Sequence, residues 1–277
     1  MPFLNRVPDR NPYEPFAVAA GLPLWPGGLT LVAAAPGVGK TSWTLDLAAQ
    51  VARSGSFAAF LCYEHTPEEL RARLRAQTLG RLVGPHPRDT DRDAFAAEVE
   101  AALARTARLF LEMPHDREDT PNRIEAALKQ SIPAGPALIV VDYLQRVPFV
   151  DPFGRSLTMQ EGRAGAVTAA FKRMALEHDW HVMLIAALEK RHYTTGDLHA
   201  ALERNPAAAL AALLGDERVA YEADRVVVLF RTGNRACGCC YDGRYVVAKD
   251  RTGPVHSRPF AFWGRVFLPR MEHEEGA

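Results

Sequence analysis

One run in this chain combines the residue types that hold phosphate. Ala34-Ala35-Pro36-Gly37-Val38-Gly39-Lys40-Thr41 follows the apolar stretch Leu29–Ala35 and precedes a segment of helical character, the setting of a phosphate-binding loop. Backbone N–H groups between Gly37 and Lys40 can converge on phosphate oxygens, the following helix offers its positive end, and the Lys40 ammonium reaches the terminal phosphates. The Thr41 hydroxyl then holds Mg²⁺. The first position of the pattern is Ala34 rather than Gly, which relaxes it. The expected nucleotide contacts are Pro36, Gly37, Val38, Gly39, Lys40, Thr41 and Ser42.

Such a loop needs a second acid at the end of a neighbouring strand to complete the metal site. Asp142, after the apolar run Leu138-Ile139-Val140-Val141, fits that place, so Thr41 and Asp142 are the candidate metal-site residues and ATP with Mg²⁺ the expected ligands. An Asp at a strand end also serves as a helix cap, the plainer role. Hydrolysis requires a base that orients water, and Glu64 ends the strand after the phosphate-loop helix, which brings it to the same sheet edge. Taken by itself, Glu64 is equally an exposed loop acid.

These side chains need strands and helices to bring them together. Apolar runs at Leu29–Ala35, Phe57–Tyr63, Leu109–Leu111, Ala137–Val141 and Val182–Ala187 alternate with helical segments at Lys40–Ser54, Pro67–Leu82, Ala94–Ala107, Pro121 to about Ser131, and Met159–His178. Alternation of this kind predicts an α/β fold with a mostly parallel central sheet flanked by helices. Thr66-Pro67-Glu68-Glu69 reads as a helix start, with a cap, Pro in the first turn and acids at the positive end. Strands expected at Arg225–Phe230, Arg244–Ala248 and Gly264–Leu268 close the chain, the first two forming a C-terminal antiparallel hairpin. Residues 1–18 carry four prolines and read as an extended arm, 19–270 as the folded domain and 271–277 as a tail.

Composition narrows the class. Thirty-three basic residues balance thirty-three acidic ones, and 48% of residues are hydrophobic, so the chain reads as an ordinary globular protein whose net charge announces no nucleic acid. No apolar run approaches the length of about 20 residues that spans a bilayer. The N-terminus has no secretory pattern, and a cytoplasmic protein without membrane contact is expected. Of four cysteines, Cys62 lies in a strand-like run while Cys237, Cys239 and Cys240 crowd one loop. Reduced thiols are the expectation; the Cys-x-Cys-Cys cluster could bind zinc, but four-coordinate structural sites usually bring paired ligands from two places, and no second pair of Cys or His lies near it in sequence.

Three strings now point further. Phe60-Leu61-Cys62-Tyr63-Glu64-His65-Thr66, Ile139-Val140-Val141-Asp142-Tyr143-Leu144-Gln145 and Ala248-Lys249-Asp250-Arg251-Thr252-Gly253-Pro254 occur in an order that resembles the C-terminal ATPase domain of DnaB-type hexameric replicative helicases. The resemblance runs from about Ala19 to Arg270 and implies a RecA-like P-loop NTPase fold, a helicase or translocase on single-stranded DNA, and a homo-oligomer, hexameric in that family, with nucleotide between subunits. It implies that Glu64 polarises the attacking water. It also implies that Lys249 and Arg251 reach the nucleotide of the adjacent subunit as catalytic cations, the alternative being a solvated basic hairpin. A replication initiator or loader as partner, and a plasmid or phage origin, belong to the same expectation.

Departures from that pattern concern coupling to DNA. Where the family has a Ser-Gln-Leu string whose Gln senses the terminal phosphate, this chain reads Ala186-Ala187-Leu188-Glu189-Lys190, and the Arg-Glu-Ser-Gly string of the DNA loop is replaced by Leu214-Gly215-Asp216-Glu217. Both favour a second reading, a non-unwinding RecA-like ATPase whose oligomer is a regulatory or recombination-mediator scaffold. DNA contacts are therefore sought among the basic residues flanking the two loops: Arg155, Arg163, Lys190 and Arg191, with Lys172 and His192 beside them.

Overall fold

The structure is a computed structural model that describes residues 22–190, 202 and 205–271. The Pro-rich arm, Arg191 and His192 lie outside the described residues.

Apolar, β-branched runs become strands because both of their faces are covered. β4 (Ala137–Asp142) is buried at every position: Ala137, Ile139 and Val141 face one half of the core, Leu138 and Val140 the other. That two-sided burial is what a central parallel strand requires. Five more strands run parallel to it: β1 (Leu29–Ala34), β2 (Phe57–Cys62), β3 (Leu109–Glu112), β5 (His181–Ala187) and β6 (Arg225–Asn234). Antiparallel strands β7 (Cys240–Asp250), β8 (His256–Trp263) and β9 (Leu268–Met271) extend the sheet to nine, in the order β3-β2-β4-β5-β1-β6-β7-β8-β9.

Helices cover the two faces. α1 (Lys40–Arg53) and α2 (Pro67–Val83) contribute Trp43, Leu45, Leu47, Leu70 and Leu74 to one side, while α5 (Pro121–Ser131) and α6 (Arg163–His178) contribute Ile124, Leu128, Phe171 and Met174 to the other. The start of α2 is a capping box: the Thr66 hydroxyl accepts the Glu69 N–H, the Glu69 carboxylate accepts the Thr66 N–H, and Pro67 follows.

Four expectations are corrected. The helix expected over Ala94–Ala107 is shorter, α4 (Ala96–Ala104), and a separate helix, α3 (Asp89–Ala94), forms in the polar stretch before it, the two parted at Phe95. The long helix starts at Arg163 rather than Met159, since Gly162 before it is left-handed at φ 82°. Gly264–Val266 is a 3₁₀ turn rather than strand: the Gly264 N–H is drawn to the Cys239 carbonyl, and a Cβ there would sit 2.0 Å from that oxygen. The alternation over His256–Trp263 is interrupted by Arg258 and Pro259 and predicts no strand, yet β8 forms there.

At the amino edge of the sheet the His181 ring is fully buried, bonded to the Thr30 hydroxyl (3.0 Å) and to the Trp25 backbone. Burial pushes its pKa down to about 3, so the folded state holds it neutral. A histidine with a depressed folded value contributes stability above its unfolded value of ~6.5 and loses it as pH falls from there toward the folded value. Urea midpoints across pH will show an acid-side fall starting near pH 6.5 that is flatter in His181→Asn. An identical slope in both proteins contradicts this.

Candidate nucleotide site

β1 delivers the chain into the phosphate loop, where Gly37 (φ 77°) and Gly39 (φ 82°) take left-handed conformations that L side chains rarely adopt. Space at Gly39 is closed as well: a Cβ would meet the Phe262 ring at 2.7 Å. The Val38 carbonyl is held by the Tyr241 hydroxyl at 2.7 Å, which fixes the loop's outer curve from β7. α1 then begins at Lys40, leaving its first N–H groups without intrahelical partners and directed into the loop. The Lys40 ammonium donates to the Ala34 and Ala35 carbonyls at 3.0 and 3.2 Å, curled back over the cradle. Burial lowers its pKa, opposed by the charges of Asp142 and Glu64.

Asp142, at the end of β4, is 1% exposed and accepts the Thr41 hydroxyl at 2.6 Å and the Cys62 thiol at 3.5 Å. Desolvation raises its pKa, and the nearby Glu64 charge adds to that, against the Thr41 hydrogen bond. Burial likewise pushes the Cys62 thiol up to about 12, so it donates rather than ionises. A carboxylate held in so dry a place beside a hydroxyl is a hard-oxygen donor set suited to Mg²⁺. Pairing with a divalent cation would offset the cost of burying the charge. Glu64, exposed, lines the same cleft of about 440 Å³ together with Pro36, Gly37, Lys40 and Thr41. The sheet thus gathers residues 64 and 142 from adjacent strands β2 and β4, and 40 and 41 from the loop after β1.

The cleft also contains residues that the sequence reading did not single out: His65, Arg73, Tyr143, Phe262, Gly264 and Phe267. Gln77, buried on α2, donates to both the Ser42 and Phe267 carbonyls at 2.9 Å and so ties the 3₁₀ turn before β9 to α1. Arg73 lies 5.2 Å from the Phe267 ring centroid. His65 and Tyr143 follow β2 and β4 directly and Arg73 stands on α2, whereas Phe262, Gly264 and Phe267 come from β8 and the segment after it, which only long-range pairing brings to the loop.

Ala187, at the position of the missing Gln, lines the cleft with a methyl group. Its N–H is bound by the Gln145 side chain at 3.2 Å, and that amide donates onward to the Leu214 carbonyl. The replaced DNA-loop string is the start of α7 (Glu217–Glu222), where Asp216 caps Arg218 and accepts the Gly165 N–H of α6.

Lys249 and Arg251 lie at the opposite edge of the sheet. Asp250 pairs with Arg225, and Arg225 with Thr30, four residues before Ala34, or about 13 Å along the strand. The Lys249 ammonium donates to the Ala220, Tyr221 and Ala223 carbonyls, and Arg251, exposed, donates to Tyr221 and Asp224. Neither can approach its own chain's phosphate loop. Their turn is braced by Arg225, buried and ion-paired with Asp250 at 2.8 Å. Among the basic candidates, Arg155 is ion-paired to Asp151 and Glu161, and Arg163 donates to the Gln145 carbonyl. Lys172 binds Asp224 and the Gly27 carbonyl at the far edge, away from the loops it was expected to flank. Lys190 is exposed, and Arg191 lies outside the described residues.

A phosphate loop at the end of β1, an acid at the end of β4 and a parallel sheet running into antiparallel strands define the RecA-like P-loop NTPases. The profile of the DnaB-like helicase C terminal domain matches residues 19–267, and the chain belongs to that family, the ATP-driven DNA helicases of replication. Among solved structures, one described as an ATPase domain superposes with a TM-score of 0.69 at 17% identity, covering 90% of this chain and 86% of that one. Another, described as a DnaB-like replicative helicase and its interactions with primase, gives 0.71 at 18% identity, covering 89% of this chain but 59% of that one. No curated protein matches the sequence. No helix of the described residues is long and apolar enough to cross a membrane.

Proposed function

We propose that the chain is the motor of a ring-forming helicase that moves along single-stranded DNA, with ATP and Mg²⁺ seated in the cleft of one subunit and completed by the next. The magnesium ion, when bound, neutralises developing phosphate charge. Thr41 and Asp142 hold it, Lys40 leaves its carbonyls for the terminal phosphates, and Glu64 orients the attacking water. Arg251 and Lys249 serve the neighbour's site. One observation carries the reading: the two cations with a catalytic counterpart in the family stand at the sheet edge opposite their own phosphate loop. In a head-to-tail ring, opposite faces of the subunit meet at each interface. A primase, loader or initiator as partner, and a plasmid or phage origin, belong to the same proposal.

Ala187 favours a second reading, the non-unwinding scaffold ATPase, since no side-chain amide there can report the terminal phosphate to the DNA loop. A forked duplex separates the two. Strand separation that requires ATP and disappears in Lys40→Ala, with ATPase raised by single-stranded DNA, is the expected result. Nucleotide-driven assembly with neither effect would replace the motor by the scaffold.

A further inference from the structure

The tip of the β6–β7 hairpin lies apart from the cleft's catalytic groups and gathers three thiols. Arg235 donates its N–H to the Cys240 carbonyl and Gly238, left-handed at φ 70°, donates to the Arg235 carbonyl, so the chain reverses within Arg235–Cys240. That reversal turns Cys237, Cys239 and Cys240 toward one point. Their sulfurs are 3.8 Å (Cys237 to Cys239) and 3.9 Å (Cys239 to Cys240) apart, all as free thiols. A disulfide would need about 2.05 Å. A tetrahedral zinc ion with Zn–S near 2.3 Å has sulfur–sulfur edges of about 3.8 Å.

The fourth corner comes from elsewhere in the fold. His86, in the loop between α2 and α3, brings a ring nitrogen to the group, so that one donor atom from each of the four residues lies within 4.8 Å of the others. Pro85 and Pro87 flank it, and their fixed φ angles present the imidazole on a stiff segment. Three thiolates and one imidazole, from two elements, form a closed four-ligand set, which is the composition of a structural rather than a catalytic zinc site.

We propose that Cys237, Cys239, Cys240 and His86 bind one Zn²⁺, which fastens the β6–β7 hairpin to the loop after α2. The neighbouring bonds give that clamp a purpose. The Cys239 carbonyl accepts the Gly264 N–H at 3.0 Å, and Gly264 lines the nucleotide cleft. Tyr241, next to Cys240, is the residue whose hydroxyl holds the Val38 carbonyl of the phosphate loop. Zinc at the hairpin tip therefore steadies two walls of the cleft without touching nucleotide. Binding replaces thiol protons by the metal and releases them to solvent, with no change of oxidation state.

The test uses the full chain, purified without chelator, and reads metal rather than turnover. Elemental analysis should find one zinc per chain. Exchange for Co²⁺ should give the intense visible bands of tetrahedral cobalt with sulfur-to-cobalt charge transfer. His86→Ala and Cys237→Ser alter exposed residues, so both fold, and each should weaken Zn²⁺ retention against a chelator by at least about tenfold. Zinc removal should lower the melting temperature of the wild type and leave that of the variants unmoved. Absence of zinc together with no cobalt spectrum, affinity unchanged in both variants, or a Cys237–Cys239 disulfide in the freshly isolated protein would each overturn the proposal.

Discussion

Lys40→Ala and Arg251→Ala proteins, each nearly inactive alone, regain ATP hydrolysis when mixed. The first lacks the cradle's lysine but carries an intact Arg251, and the second the reverse. If each cleft is completed by its neighbour, an interface pairing an Arg251→Ala cleft with a Lys40→Ala donor holds every group. At equal proportions such interfaces make up about a quarter of a head-to-tail ring, which sets the ceiling for recovery. A cation supplied in trans contributes on the order of 10³–10⁵-fold to turnover, so even a few per cent recovery stands well above either variant's background. Arg251 is the better probe than Lys249. Its exposed guanidinium has only Tyr221 and Asp224 to leave, whereas the Lys249 ammonium holds three carbonyls at the end of α7, and its loss would also loosen that helix. Full turnover by Arg251→Ala alone, or a mixture as inactive as its components under conditions of subunit exchange, would remove the shared site.

Why some of this site is legible in the sequence and some is not follows from the range of the interactions. The phosphate loop, Asp142 and Glu64 each sit where an apolar run ends, and a parallel sheet brings all such ends to one edge, so strand alternation alone places them together. The α2 start is legible for a more local reason: Thr66, Pro67 and Glu69 satisfy the helix end among themselves. Phe262, Gly264 and Phe267 carry no local signal, because their place depends on β8 pairing with β7 across a sheet edge. His86 is hidden more deeply still. It is far from the cysteines in sequence, and only the packing of the hairpin beside the loop after α2 makes them neighbours. The resemblance located Lys249 and Arg251, but not the buried Arg225–Asp250 pair that holds their turn, since a lone Arg and Asp on separate strands give no pattern.

Asp142→Asn makes the metal-free protein more stable while abolishing its activity. The wild-type carboxyl is 1% exposed, and burial raises its pKa above the ordinary carboxylate value despite the Thr41 and Cys62 hydrogen bonds. A raised folded value means that this group favours folding while protonated, below its unfolded pKa of ~3.9, and that the contribution is lost as pH rises through the folded value. Ionising Asp142 as pH rises therefore places a charge in a dry site. Asparagine keeps the shape and an oxygen that can accept from Thr41 and Cys62, without the charge. A gain of only ~1 kcal/mol moves the melting temperature of a domain this large by about 2–4 °C. That advantage shrinks as pH is lowered, because the wild-type acid becomes neutral too. Magnesium with nucleotide reverses the order, raising the wild type by its binding and the variant much less. Turnover falls on the order of 10³-fold, the scale of several kcal/mol of transition-state charge stabilisation by a metal. Thermal melts from pH 5 to 8, with and without magnesium and nucleotide, measure both halves, and a variant that melts below the wild type at neutral pH without ligand would show that Asp142 is placed for stability rather than for the metal.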